Sequence, residues 1–214
     1  MKKIILLFLF ITLQITLFHH LFALAKTPEN YLKGKFYSSV KNNFLVATEK
    51  MNDNRFKKTV IVMLESDEDG AWGLVINKPL GSIPLAMLID PSLSNTPEER
   101  EKLYGVNILI FWGGPVEVKK IFILHSSEYQ SESTKNYGSI SISQDYNILF
   151  DIAEDKGPEK SLVILGYSGW GSGQLEGEME RNHWILSDIE LDIIFEKDSK
   201  EKWKEALKSS FIKI

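Results

Sequence analysis

Eight short segments rich in Val, Ile and aromatic residues recur along this chain, at residues 44–48, 59–64, 72–77, 106–112, 121–125, 139–143, 161–167 and 184–188. Branched and ring side chains pack well on a pleated surface, so runs of this length bounded by Gly, Pro, Asn or Asp read as strands. Helix signals lie between them. Ser82-Ile83-Pro84 opens a short apolar helix, and Thr96-Pro97-Glu98-Glu99 offers an N-cap, a first-turn proline and a capping carboxylate. Ser143 caps a helix over 144–155, whose Ile148, Leu149, Ile152 and Ala153 form one apolar stripe ended by Gly157-Pro158. A last helix starts near Asp198, with Glu201 completing a capping pattern, and turns Trp203, Ala206 and Leu207 to the core. Strands and helices mix without strict alternation, and neither a low-complexity linker nor an internal repeat divides them, so the reading is one α+β domain.

Composition narrows the function classes. The chain has 214 residues, 43% hydrophobic and 25% charged, which excludes collagen, a coiled-coil rod and wholesale disorder. Lys and Arg number 25 against 29 Asp and Glu, so no chain-wide positive field draws in phosphate backbones and no nucleic-acid partner is expected. Without cysteine there are no disulfides, no thiolate catalysis and no Cys-ligated zinc.

The first 25 residues read as an address. Lys2 and Lys3 precede an apolar run over 4–18, and Ala23-Leu24-Ala25 supplies small residues at alternate positions. That order is what a signal peptidase reads, and it predicts cleavage after Ala25 and an exported, periplasmic protein. The run is also nearly long enough to remain as a membrane anchor, the one case in which a membrane contact is expected, although His19 and His20 argue against it. A polar lead over 26–43 follows, then a single domain over 44–214. Removing the leader leaves His125 and His183 as the histidines, a small stock for metal ligation or general-base work.

Three segments are candidates for chemistry. Glu65-Ser66-Asp67-Glu68-Asp69-Gly70 imitates the first half of a calcium loop, but Ile76 stands where the bidentate Glu belongs, so a hairpin turn is the better reading. Gly113-Gly114-Pro115-Val116 follows a strand and marks a sharp change of direction, or a place where a ligand approaches backbone N–H groups. Residues 165–176, Leu-Gly-Tyr-Ser-Gly-Trp-Gly-Ser-Gly-Gln-Leu-Glu, read as a glycine-rich turn between a strand and a short helix capped by Ser172. A nucleophile elbow at Ser168 fails the G-x-S-x-G pattern at Trp170, and the chain order fails too, because His183 follows too closely. A phosphate loop fails because there is no P-loop lysine and Gln174 stands in place of the last glycine of G-x-G-x-x-G. What remains is tight packing of Tyr167 and Trp170 under the turn, or a ligand or partner surface. His125 ends a strand on the face of Ile121 and Ile123 and reads as a hydrogen-bonded structural histidine.

In this order and spacing, Gly73-Leu74-Val75-Ile76-Asn77-Lys78-Pro79-Leu80, Gly113-Gly114-Pro115-Val116, Leu124-His125 and Gly166-Tyr167-Ser168-Gly169-Trp170-Gly171-Ser172-Gly173-Gln174-Leu175-Glu176 resemble the bacterial AlgH/YqgE family. The resemblance runs from about Phe44 to the last helix. It implies an α+β fold with a bifurcated, mostly antiparallel sheet that includes a small closed barrel surrounded by helices. It implies no established enzymatic activity and no cofactor; the family name comes from a proposed regulatory role in alginate production. Two departures stand out. Asn52-Asp53-Asn54-Arg55-Phe56 replaces what in relatives resembles D-P-x-F, and relatives, thought of as cytoplasmic, lack a leader. Cytoplasmic residence is therefore the alternative to export.

The combined expectation is a non-catalytic binding or regulatory module. Its protein or small-molecule partner would dock near Gly166, Tyr167, Ser168, Gly169, Trp170, Gly171 and Gln174, alongside Asn77, Pro79, Gly113, Gly114, Pro115 and His125. The alternative is a serine hydrolase using Ser168 with His125 or His183.

Overall fold

Both faces of the central strands carry apolar residues, so the sheet needs cover on both sides. The structure, a computed structural model, describes residues 40–89 and 96–210. The expected leader, 1–25, and residues 26–39 of the polar lead lie outside them. Ten strands form one branched sheet: β1 (Asn43–Ala47), β2 (Val60–Ser66), β3 (Gly70–Val75), β4 (Pro79–Pro84), β5 (Asn107–Trp112), β6 (Val116–Ser126), β7 (Lys135–Tyr137), β8 (Ile140–Ser143), β9 (Ser161–Gly171) and β10 (Trp184–Asp188). The helices are short: α1 (Pro97–Gly105), α2 (Asn147–Ala153), α3 (Gln174–Glu180), α4 (Leu191–Phe195) and α5 (Ser199–Lys208). None of the described helices is long and apolar enough to cross a membrane.

The period of two sorts the core. Phe44, Val46, Val60, Val62 and Leu64 pack on one side with Phe122, Ile164, Ile194 and Ala206. Leu45, Ala47, Ile61 and Met63 pack on the other with Val75, Trp170, Leu175 and Trp184. A third cluster joins β5, β6 and β9 to α2 through Ile110, Ile123, Val163, Ile148 and Leu149. The expected final helix delivers Trp203, Ala206 and Leu207 to the first cluster, and the Trp203 indole N–H donates to the Ala47 carbonyl at 2.7 Å.

The sheet branches at β9. The path runs β10-β1-β2-β3-β9-β6-β8-β7, while β5 also pairs with β9 and carries β4 on its other edge. Every pairing is antiparallel except β5 with β9. Residues 163–165 of β9 lie beside β5, and 168–171 lie beside β3. Between these stretches Gly166 takes φ +70°, a left-handed kink that lets one strand change neighbours. The expected bifurcation is present. The pairings among the described residues run as an open path and do not close into a barrel ring, and the helices are too few and short to surround the sheet.

Several local expectations change. Ser82-Ile83-Pro84 is strand, not helix start: Gly81 sits at φ +146°, Ile83 pairs Ile108, and only Leu85–Met87 turn as a 3₁₀ helix. Residues 165–171 are strand rather than turn, so the glycine-rich connection shrinks to Ser172-Gly173. Ser172 does not cap α3; its hydroxyl donates to the Glu68 carbonyl at 2.7 Å. The α2 start is held by Asp145, which accepts the Asn147 and Ile148 N–H groups, while Ser143 is wholly buried in β8. The 65–70 hairpin stands as expected, with Asp67 Oδ1 accepting the Asp69 and Gly70 N–H groups.

Candidate functional site

The three glycine- and proline-bearing bends meet. The Val75 N–H donates to the Gly113 carbonyl at 3.1 Å, the Trp112 N–H to the Lys78 carbonyl at 2.8 Å, and the Gly113 N–H to the Leu165 carbonyl at 2.7 Å. The chain segments touch so closely that side chains are excluded. A Cβ on Gly113 would lie 2.2 Å from the Gly166 carbonyl oxygen, and one on Gly114, at φ +151°, would lie 2.2 Å from Tyr167 backbone. Gly113, Gly114 and Gly166 are therefore packing residues at the branch point. Asn77 is structural as well: its Oδ1 accepts the Val60 N–H at 2.9 Å and its Nδ2 donates to the Lys58 carbonyl at 2.8 Å.

The hydroxyl of Ser168 lies wholly inside the fold and donates to the Gly113 carbonyl at 3.0 Å, so it is not presented to a substrate. His125 is wholly buried in β6. Its Nδ1 contacts the Ser126 carbonyl at 2.8 Å and its Nε2 the Ser143 hydroxyl at 3.0 Å. Desolvation by burial holds the imidazole pKa below its ordinary value, against the pull of the Ser126 carbonyl and the carboxylates of Glu128 and Asp145. The Ser143–His125 contact has the distance of a nucleophile–base pair, but neither group reaches a surface. The structural reading of His125 holds, and it lines none of the clefts described next.

Among the described residues, three depressions lie around the branch point. The largest, about 660 Å³, lies over Trp72, Phe122 and Tyr167, with Gly169 and Trp170 at one side and Glu65, Asp67, Lys120 and Lys135 around it. The rings of Trp72 and Tyr167 meet edge to face at 5.7 Å. Glu65 accepts from the Trp72 indole at 3.0 Å and the Tyr137 hydroxyl at 3.1 Å; burial, with the Glu65 charge second, pushes the Tyr137 pKa up to about 12. A second cleft, about 320 Å³, is lined by Asp53, Arg55, Phe56, Pro115, Gly169, Trp170, Gln174, Glu178, Arg181 and His183. The third is an apolar groove of about 590 Å³ over Pro79, Leu80, Trp112, Pro115 and Val118, with Arg55 and Lys78 at its rim. Among the described residues no group of three or more His, Asp or Glu side chains is placed to hold a metal ion.

Pro79, Pro115, Gly169 and Gln174 thus lie on one continuous face, since the second and third depressions share Arg55 and Pro115. Trp170 belongs to it less than its sequence position implies. It is 7% exposed, and its indole N–H is held at 3.0 Å by Glu178, which also takes the Trp184 indole at 2.7 Å and the Gln174 amide at 3.1 Å. Gln174 Oε1 in turn accepts the Gly171 N–H at 3.2 Å, so it satisfies the loop backbone as its position predicts.

A family model described as AlgH-like matches residues 44–214. The chain belongs to the AlgH-like family. A UPF0301 protein of Pseudomonas putida strain W619 is 39% identical over 158 residues, covering 74% of this chain and 82% of that relative. The solution structure of the AlgH protein from Pseudomonas aeruginosa is similar with a TM-score of 0.66 and 36% identity, covering 79% of this chain and 88% of that one. Protein DIP2367 from Corynebacterium diphtheriae has a TM-score of 0.59 at 12% identity, over 86% of this chain and 96% of that one, and shares the fold alone. Neither the matched family description nor these relatives' names carry a reaction to this site, so its chemistry rests on the residues themselves.

Sequence reasoning missed Arg55, Leu80, Val118, Glu178 and Arg181 as members of this face. Val118 lies in a bulge of β6, where the register against β9 shifts between Val116 and Ile121. Such a bulge leaves no mark in the apolar period. Leu80 did carry a signal, a large apolar residue following Lys78-Pro79 where the strand pattern breaks.

Proposed function

We propose that this chain is a non-catalytic binding module of the AlgH-like family, its partner docking on the groove of Pro79, Leu80, Trp112, Pro115 and Val118 and reaching Gly169 and Gln174. The observation that carries this reading is the pairing of two opposite states in one place. The hydroxyl a hydrolase would use is internal and bonded to Gly113, whereas Leu80 and Val118 stand 60% and 54% exposed over a shared groove. Large apolar side chains collected at a rimmed depression mark interaction surfaces rather than ordinary exterior.

A photo-reactive residue at Val118, in protein expressed in its native host, is expected to form adducts that disappear in Leu80→Asp. The same label at Tyr146, exposed outside the groove, is expected to form none. Equal labelling at both positions would refute the docking face. Stoichiometric modification by a serine-reactive phosphonate, lost in Ser168→Ala, would refute the non-catalytic reading. Export belongs to the same proposal and rests on residues 1–25: N-terminal mass spectrometry of the native protein is expected to begin at Lys26, and an intact Met1 in the cytoplasmic fraction would refute it.

A further inference from the structure

The charges around the groove identify what it takes, provided the docking reading above holds. Its charged lining residues, Arg55 and Lys78, are both cations. Lys57 and Lys58 come close through their backbone, their carbonyls accepting from the Lys78 ammonium and the Asn77 amide, each at 2.8 Å. Among the described residues, no carboxylate lies within ion-pair distance of Lys57, Lys58 or Lys78, although acidic residues outnumber basic ones along the whole chain. Burial pushes the Lys78 pKa down, the mark of an ammonium that has lost water and gained no counter-charge. Asp53 is the acid paired with Arg55. It engages Arg55 through Nε at 3.1 Å and Nη2 at 2.7 Å, which fixes the guanidinium and leaves Nη1 to donate outward.

We infer that the groove binds an extended, acidic and apolar peptide segment of a protein partner, apolar side chains seated between Leu80 and Val118 and carboxylates meeting Arg55 and Lys78. An extended chain presents alternate residues to opposite sides, which lets apolar and acidic side chains meet different parts of a lining that holds both apolar residues and cations. β4 borders the groove as a strand that, among the described residues, pairs only with β5, so an extended segment runs alongside it without displacing any of those pairings. An anionic membrane fits less well. Lys78 is tied to a carbonyl and Arg55 to Asp53, so both cations are held in place for a shaped partner rather than left as mobile surface charges.

The test is fluorescence anisotropy of the full chain with labelled decapeptides of alternating Leu and Glu, Leu and Ser, or Leu and Lys. The Leu/Glu peptide should bind roughly tenfold more tightly than Leu/Ser, weaken as salt is raised, and lose about tenfold in affinity with either Leu80→Asp or Lys78→Glu. Leu80 is exposed and Lys78 half-buried, and unchanged urea midpoints confirm that the variants fold. Equal binding of the Leu/Glu and Leu/Lys peptides, or Leu/Glu binding indifferent to Lys78→Glu, overturns the inference. Binding of Leu/Ser alone, abolished by Leu80→Asp, also overturns it but leaves the docking reading standing. Silence of every peptide together with absence of adducts at Val118 removes both. Two further results overturn the inference in favour of another occupant: capture of phosphatidylglycerol vesicles lost in the same variants, or a concentration-dependent dimer dissolved by Leu80→Asp.

Discussion

Replacing Gly114 by Ala separates the two uses of glycine at the branch point. The added Cβ would fall 2.2 Å from the Tyr167 carbonyl carbon and oxygen and 2.3 Å from the Ser168 nitrogen, all backbone atoms of a strand paired on both edges. No side chain can swing aside, so β9 itself must shift. Overpacking of this kind costs about 1–3 kcal/mol, and a residue other than Gly at φ +151° adds about 1–3 kcal/mol, together roughly 2–6 kcal/mol. That is a large share of the ~5–15 kcal/mol by which such domains are stable. Gly171→Ala is the control, because a Cβ there meets nothing within 4 Å and should change stability by under ~0.5 kcal/mol. Gly81→Ala isolates the backbone part, at φ +146° with open space around it. Urea unfolding followed by tryptophan fluorescence should rank the midpoints Gly171→Ala, Gly81→Ala, Gly114→Ala from highest to lowest. Equal midpoints for Gly114→Ala and Gly171→Ala would refute the packing argument and return Gly113-Gly114 to the list of ligand-contacting backbone.

Glu178→Ala strands the indole N–H groups of Trp170 and Trp184 and should cost roughly 2–4 kcal/mol in urea unfolding, whereas Glu178→Gln, which keeps an acceptor, should cost less than half as much. Because burial holds the folded His125 pKa below the 6.5 of an unfolded histidine, the unfolded chain binds more protons as pH falls through that region. Wild-type stability should therefore drop below about pH 6.5 more steeply than that of His125→Gln, and parallel pH curves would count against the buried neutral imidazole. Lys202, 2% exposed beneath the Ile194 carbonyl, has its pKa lowered to about 8 by burial, against the pull of Asp198, so the unfolded chain holds the extra proton from about pH 8 to 10.5. Stability of the wild type should rise across that window relative to Lys202→Met, and a flat difference would refute the assignment.

The strands were legible because residues such as Ile61 to Leu64 and Leu74 to Ile76 are buried on both faces and so read as unbroken apolar runs. β4 was not. Pro84 after Ser82 imitates a helix entry, and only the long-range pairing of Ile83 with Ile108 decides otherwise. β7 and α4 are too short, at three and five residues, to establish a period. The candidate face was half legible. Glycine and proline disclosed where the chain bends, and those bends do meet. Which side chains then share a surface depends on the Val116 to Ile121 bulge and on a kink at Gly166, both set by tertiary contacts. Trp170 is instructive, since an aromatic between glycines reads equally as a packed ring or a docking anchor. What buries it is the acceptor Glu178 on the following helix, a pairing that no short motif announces.

A serine beside glycines at the end of an apolar strand invites a nucleophilic reading, and the backbone supplies the reason to decline it. In a nucleophile elbow the strand stops at the serine, and the strained turn lifts the hydroxyl clear of the sheet. Here β9 continues to Gly171, and Ser168 sits opposite Gly73 in the ladder, on the inward side with Trp170. The alternate position, Gly169, faces out and borders both the large aromatic cleft and the smaller one beside Gln174. The nearest atoms a Cβ there would meet belong to side chains, the Tyr167 ring edge at 3.2 Å and Val116 at 3.8 Å, and no backbone stands closer, so packing against the chain does not demand glycine. A larger side chain at this position would stand as a wall between the two depressions. The glycines of β9 therefore divide by face: Gly166 lets the strand change neighbours, while Gly169 keeps the outer surface open, and only the second has consequences for what can be bound.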